Sequence, residues 1–230
     1  MCSRVQQVTL IIQRCAMQYI EFFNHICQET VLKDYIFRKL LGRRKKVEAD
    51  KRTIIPNNAV IYMNNTCFLR EIHFQEKIYY DLLDGENYLF VTNSDTEVIL
   101  IPLVNTEYIF FNKEDLFTLL ETDGVLSCLY LSYVKKMQEG IRFNLRISEE
   151  ATEIRICMLL DKVFRKQDIP CKIPTALSVQ NMARILDVSC EDIEKAIRVL
   201  KSKDYLKKRE KRLIYYPEKV RLGKGGMKID

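Results

Sequence analysis

The chain has 230 residues, 47% apolar and 30% charged, enough to bury one sizeable core or two modest ones and too hydrophobic for global disorder. Its net charge of +6 is uneven, because residues 172–230 hold 15 Lys/Arg against 8 Asp/Glu while residues 1–171 hold 22 against 23. The eight cysteines form no CxxC pair or cluster suited to zinc or iron–sulfur, and neither a secretory leader nor a membrane-length apolar run is present, so a reducing cytoplasm with no membrane association is expected.

Residues 5–41 read as helical, with Tyr19, Phe22, Phe23 and Ile26, then Ile36, Phe37, Leu40 and Leu41, at helical spacing and a break near Glu29-Thr30. The basic run Arg43-Arg44-Lys45-Lys46 is expected to be a solvated linker. From residue 52 the pattern changes. Short β-prone runs at 53–55, 59–63, 68–74, 78–83, 88–91, 97–103 and 106–111 are separated by Pro56-Asn57-Asn58, Asn64-Asn65, Asp84-Gly85-Glu86-Asn87 and Asn93-Ser94-Asp95, which read as turns. This spacing predicts a small antiparallel β-barrel or sandwich over 52–111, with a core of its own side chains as the default and a ligand cavity as the alternative.

Asn112 is placed to cap a short helix through Leu120, with Asp115 complementing the exposed amides. A longer helix follows over 125–146. Its apolar stripe Leu126, Tyr130, Val134, Met137, Ile141 and Leu145 is flanked by Lys135, Lys136, Glu139 and Arg142. Such a stripe is buried either within its own domain or against a twin helix in a coiled-coil seam. Ser148 with Glu149 and Glu150 marks the start of another helix, which runs to Phe164 and is closed off by Pro170 and Pro174.

The stretch 177–216 is the most informative. Ser178 begins a short helix with Met182, Ile185 and Leu186 on its inner face and Ala183 at a close crossing. Asp187-Val188 makes the turn. Ser189 caps a second helix, with Asp192 as its capping-box partner, that buries Ile193, Ile197 and Leu200 and presents Cys190, Glu191, Glu194, Lys195, Arg198 and Lys201 outward. A hairpin with the polar tip Glu210-Lys211-Arg212 completes a winged helix. In such a module the second helix enters the major groove while the first helix and the wing hold phosphates, and the local excess of positive charge favours DNA as the partner. Winged helices also serve as protein-contact modules, and that is the competing reading. With no nucleophile–base pair, phosphate-binding Gly loop or metal cluster in the sequence, an enzyme is not expected.

These segments resemble the Crp/Fnr superfamily of bacterial regulators. "EYIFFNKEDLFTLLETDGVL" is similar to the last barrel strand and the short helix before the family's dimer helix. "RISEEATEIRICMLLDKVFRK" resembles the helix that joins the dimer helix to the DNA-binding domain. "LSVQNMARILDVSCEDIEKAIRVLKSKDYLKK" resembles the helix-turn-helix and first wing strand.

The resemblance implies an α+β protein with a sensor-like domain over 1–121 (N-terminal helices and a cyclic-nucleotide-binding-like β-barrel). A dimerisation helix over 122–147 and a winged helix-turn-helix over 148–230 complete the layout. It implies a cytoplasmic, bacterial transcription regulator that binds a palindromic site on double-stranded DNA as a homodimer, with RNA polymerase as a further partner. The dimer seam would be the stripe from Leu126 to Leu145. The matching DNA positions are Ser178 and Gln180 on the first helix and Ser189, Cys190, Glu191 and Lys195 on the second; Arg198, Lys211 and Arg212 add cations beside them.

The departures are specific. Cys190 and Lys195 stand where family members carry Arg, and an Arg–guanine pair supplies about 1–3 kcal/mol of discrimination that Cys190 lacks. Gly85-Glu86 matches the family's Gly-Glu pair but lies in an apparent turn, and no Arg follows Arg70 before Arg142, which argues against cAMP. The scattered cysteines argue against an iron–sulfur cluster, and the presence of His25 and His73 alone argues against haem. The barrel is therefore expected to be effector-responsive or degenerate.

Overall fold

A computed structural model describes residues 29–91, 95–164, 169–210 and 212–218. The expected helix over 5–28, the turn at Asn93-Ser94, His25, Cys2, Cys15, Cys27 and Lys211 lie outside the described residues. The elements run α1 (Glu29–Lys39), β1 (Arg43–Val47), β2 (Thr53–Ile54), β3 (Ala59–Phe74), β4 (Lys77–Phe90), β5 (Thr96–Pro102), β6 (Thr106–Asn112), α2 (Lys113–Thr122), α3 (Leu126–Ser148), α4 (Thr152–Phe164), β7 (Cys171–Lys172), α5 (Val179–Leu186), α6 (Cys190–Ser202), β8 (Leu206–Arg209) and β9 (Arg212–Tyr215). The architecture is α+β, with a curled six-stranded antiparallel sheet, a long helix and a helical C-terminal part carrying a three-stranded sheet.

Three expectations are corrected here. The basic run is not a linker. Arg43 to Val47 pair with Phe110 to Thr106 as an edge strand, and four exposed cations keep that edge from pairing with another chain. Asn64-Asn65 and Asp84-Gly85-Glu86-Asn87 are not turns either. Both lie inside one long hairpin, β3–β4, whose real turn is Gln75-Glu76, with Gln75 at a φ of 54°. Asn64-Asn65 form a bulge, since pairing jumps from Met63↔Asn87 to Thr66↔Gly85 and β3 gains one residue on β4. Gly85, at a φ of 76°, supplies the left-handed geometry opposite it. Finally, Ser148 ends a helix rather than starting one: its hydroxyl donates to the Leu145 carbonyl, and the next helix begins at Thr152.

The bulge sets the packing. Before it, Val60 and Tyr62 face α1, α2 and α3, while Ala59, Ile61 and Met63 face the concave interior. After it the parity inverts. Phe68 now points inward, and Cys67 and Leu69 point out. The interior is filled by Ile61, Met63, Phe68, Leu83, Leu89, Leu100, Tyr108 and their neighbours, so the barrel packs on its own side chains. Cys67 and Leu69 join Ile99, Ile101 and Leu103 as the floor on which the winged helix sits, in one continuous core with Ile156, Leu160, Met182, Ile193, Leu200 and Tyr215.

Candidate nucleic-acid interface

The helix-turn-helix forms as its capping residues require. Ser178 Oγ accepts the Asn181 N–H at 3.2 Å to start α5, and Asp187, at a φ of 51°, ends it in the left-handed region that Asp tolerates. The Val188 N–H then donates to the Ala183 carbonyl at 3.0 Å, closing the turn. Ser189 Oγ accepts the Asp192 N–H at 3.1 Å and donates to the Asp192 carboxylate at 2.7 Å. The Asp192 side chain thus answers the cap hydroxyl rather than a backbone amide. Ile193, Ala196, Ile197 and Leu200 are buried beneath α6, and Tyr215 anchors the wing by donating to Asp161 at 2.6 Å.

The predicted DNA positions among the described residues all stay open to solvent. Ser178, Gln180, Ser189, Cys190, Glu191, Lys195, Arg198 and Arg212 are all exposed, and none is covered by the β-domain. The electrostatics differ along α6. Its first turn carries Glu191 and Asp192, and Lys195 Nζ sits 3.8 Å from a carboxylate oxygen of each. Arg198 and Lys201, one turn apart, face the wing instead. With Lys208 and Arg212 they wall a cleft of about 330 Å³ over Val179, Ile197 and Leu213. Lys201 and Lys208 were not among the predicted contact positions, although Lys201 was assigned to the outer face; the second wall of the cleft appears only once the hairpin is folded against α6.

Among the described cysteines Cys190 alone is exposed, whereas Cys67, Cys128, Cys157 and Cys171 are buried. Burial, with the nearby Asp161 charge, pushes the Cys157 thiol up to about 12, as befits an inert core residue.

The module is seated on the β-domain by polar contacts as well as by the shared core. The Asp50 carboxylate accepts N–H groups from Thr175 at 3.1 Å and Ala176 at 2.8 Å. Arg184 Nη1 donates to Tyr80 Oη at 3.0 Å with its guanidinium over the ring, and Lys162 pairs with Asp84 at 3.1 Å. Arg155 donates to the Glu150 carbonyl at 2.7 Å and to the Leu186 carbonyl at 3.3 Å, satisfying backbone groups at the α3–α4 junction and the end of α5.

On α3, Leu126 packs toward the β-domain core, but Tyr130, Val134, Met137, Ile141 and Leu145 stay 39–62% exposed, and Leu131 widens the stripe at 50%. The intramolecular alternative for this stripe is therefore unmet along most of its length.

A cavity of about 710 Å³ lies between the β3–β4 hairpin, α3 and α4. Its charges are largely matched. Arg70 Nε donates to Asp81 at 2.8 Å within a bidentate pair, Lys136 pairs with Glu139 at 3.2 Å, and Lys162 is held by Asp84 with its ammonium 4.0 Å from the Phe143 ring centre. Gly85-Glu86 does not line it; Glu86 pairs with Lys33 of α1 at 3.0 Å. Among the described residues no group of three or more His, Cys, Asp or Glu is placed to hold a metal, and no helix is long and apolar enough to cross a membrane.

A curled β-sheet, a long helix with a bare apolar stripe and a winged helix together define the Crp/Fnr-type fold. No protein-family model and no curated protein matches the sequence. Solved structures do match. FixK2 from Bradyrhizobium japonicum aligns with a TM-score of 0.55 at 13% identity, over 80% of this chain and 96% of that one. A cyclic nucleotide-binding domain containing protein from Listeria monocytogenes EGD-e gives 0.52 at 12% identity, over 84% and 98%. The c-di-GMP responsive global regulator CLP of Xanthomonas campestris gives 0.51 at 18%, over 80% and 97%. The chain thus shares the fold of these proteins across nearly their whole length.

Proposed function

We propose that the chain is a cytoplasmic, non-enzymatic transcription regulator that binds palindromic double-stranded DNA as a homodimer joined along α3, with RNA polymerase as a further partner. The single observation that carries this is a winged helix whose duplex-facing side is open to solvent while its inner side is seated on the β-domain. The bare α3 stripe supports a two-fold partner, and two-fold symmetry in the protein matches palindromy in the site. The pairing of Arg70 with Asp81 leaves the exposed Arg146 as the cavity's other guanidinium, which supports an effector other than a buried anionic cyclic nucleotide, or none. Iron–sulfur and haem sensing are likewise outside this reading. The test is selection of duplexes from a random pool, followed by titration at several salt concentrations. A two-fold symmetric site bound with a salt-dependent constant is expected; recovery of no preferred sequence overturns specific reading.

One observation favours a second reading, a protein-interaction module that has lost specific DNA recognition. The first turn of α6 is acidic, and its Lys195 is engaged by Glu191 and Asp192. Symmetric-site selection, as above, separates the two.

A further inference from the structure

We infer that the cleft between α6 and the wing is the main seat for a phosphodiester of the duplex backbone, with Lys201 and Lys208 as principal ligands, and that the first turn of α6 stays out of close base contact. The inference rests on the DNA-binding reading above and assigns where on the module the grip lies.

The argument begins with charge. Arg198, Lys201, Lys208 and Arg212 are exposed, and Glu194 is the one acid on the rim. They converge from three elements, α6, β8 and β9, so the cluster is more than the solvated face of one helix. Arg198, Lys201 and Lys208 form no ion pair with a described acid. Lys195 and Lys207, by contrast, do: Lys195 as above, and Lys207 with Asp204 at 3.0 Å. A phosphate meeting Arg198, Lys201 and Lys208 breaks no ion pair with a described acid, and only Arg212 also feels the Asp50 carboxylate, whereas at Lys195 it competes with two carboxylates and meets their repulsion.

Shape points the same way. The floor of Val179, Ile197 and Leu213 offers no side-chain donor or acceptor to a base edge, but it suits the apolar face of a deoxyribose, and the cationic rim suits the phosphate beside it. At the other end of α6 the Ser189 hydroxyl is occupied by its cap, Cys190 makes no bidentate base contact, and Glu191 and Asp192 oppose the phosphates flanking a groove. The grip that follows is strong in its salt dependence and poor in sequence information.

The experiment measures binding of the full chain to two duplexes of unrelated sequence by fluorescence anisotropy, between about 50 and about 200 mM salt. The Lys201→Gln/Lys208→Gln double variant is expected to weaken both duplexes alike, by about tenfold or more, and to reduce the log–log salt slope by about 2 per bound subunit, or about 4 for a bound homodimer. Lys201→Arg/Lys208→Arg is expected to keep the wild-type slope, and Lys195→Gln to leave it within about half a unit of wild type. A Gln double variant that keeps the wild-type slope while the wild type binds overturns the cleft and leaves the DNA-binding reading standing. A larger slope change at Lys195→Gln than at the cleft overturns it as well. A wild type that ignores both duplexes at the lowest salt overturns both readings. Tighter binding to anionic lipid vesicles or single-stranded RNA than to duplex overturns the choice of partner.

Discussion

At Asp50 one carboxylate links the β-domain to the winged helix through the Thr175 and Ala176 amides. Burial pushes its pKa up, but the two donated N–H groups and the nearby Arg212 charge outweigh that and hold it below the ordinary value of 3.8. A carboxyl with a depressed folded pKa contributes stability above its unfolded value and loses it as pH falls through the folded one. Asp50→Ala is therefore expected to cost about 1–2 kcal/mol at neutral pH, discounted for partial exposure, and progressively less as acid protonates the folded carboxyl. Denaturant titrations at neutral and acid pH check this, and an equal cost at both would show that the carboxylate charge is not what matters. The position carried no signal in the sequence, because its partners lie more than a hundred residues away and a lone Asp in a loop is ordinary. Ser178 and Ser189 were legible as caps because a cap is decided within four residues.

Among the elements, α3 leads most directly to a test. Its exposed stripe, with side chains half in water along five turns, leaves apolar surface whose burial is worth roughly 1 kcal/mol or more per side chain. On the homodimer reading proposed above, Met137→Glu/Ile141→Glu is expected to abolish self-association with little change in the subunit's own unfolding midpoint, because both side chains are half exposed where they border the α3 cavity. Sedimentation equilibrium with circular dichroism checks both halves of this statement, and a variant that remains dimeric removes α3 from the interface. The helices were readable from periodicity and caps, which act locally. The strands were readable as β-structure but not in their connections. Asp84-Gly85-Glu86-Asn87 has the composition of a hairpin turn and serves as the partner of a bulge, while the true turn, Gln75-Glu76, has no Gly, Pro, Asn or Asp. The cavity's Arg70–Asp81 pair was equally invisible, since it depends on the register of β3 against β4.

For the whole molecule, the shared core joins sheet residues such as Leu69 and Ile101 to Leu160, Met182 and Leu200 of the winged helix. Two bodies with one core melt together, so intrinsic probes in the β-domain and in the winged helix are expected to report one coincident transition. Two separated transitions in calorimetry would contradict that coupling. The seat of the winged helix also traces back to the single extra residue at Asn64-Asn65, which turns Cys67 and Leu69 outward. Chain length at that one point decides which way the second half of β3 faces. Loss of a residue there would transpose floor and lining, sending Phe68 toward the winged helix and leaving the interior of the barrel without its ring. The orientation of the winged helix is thus fixed by a count made more than a hundred positions upstream, and length variation is far more disruptive there than a change of side chain.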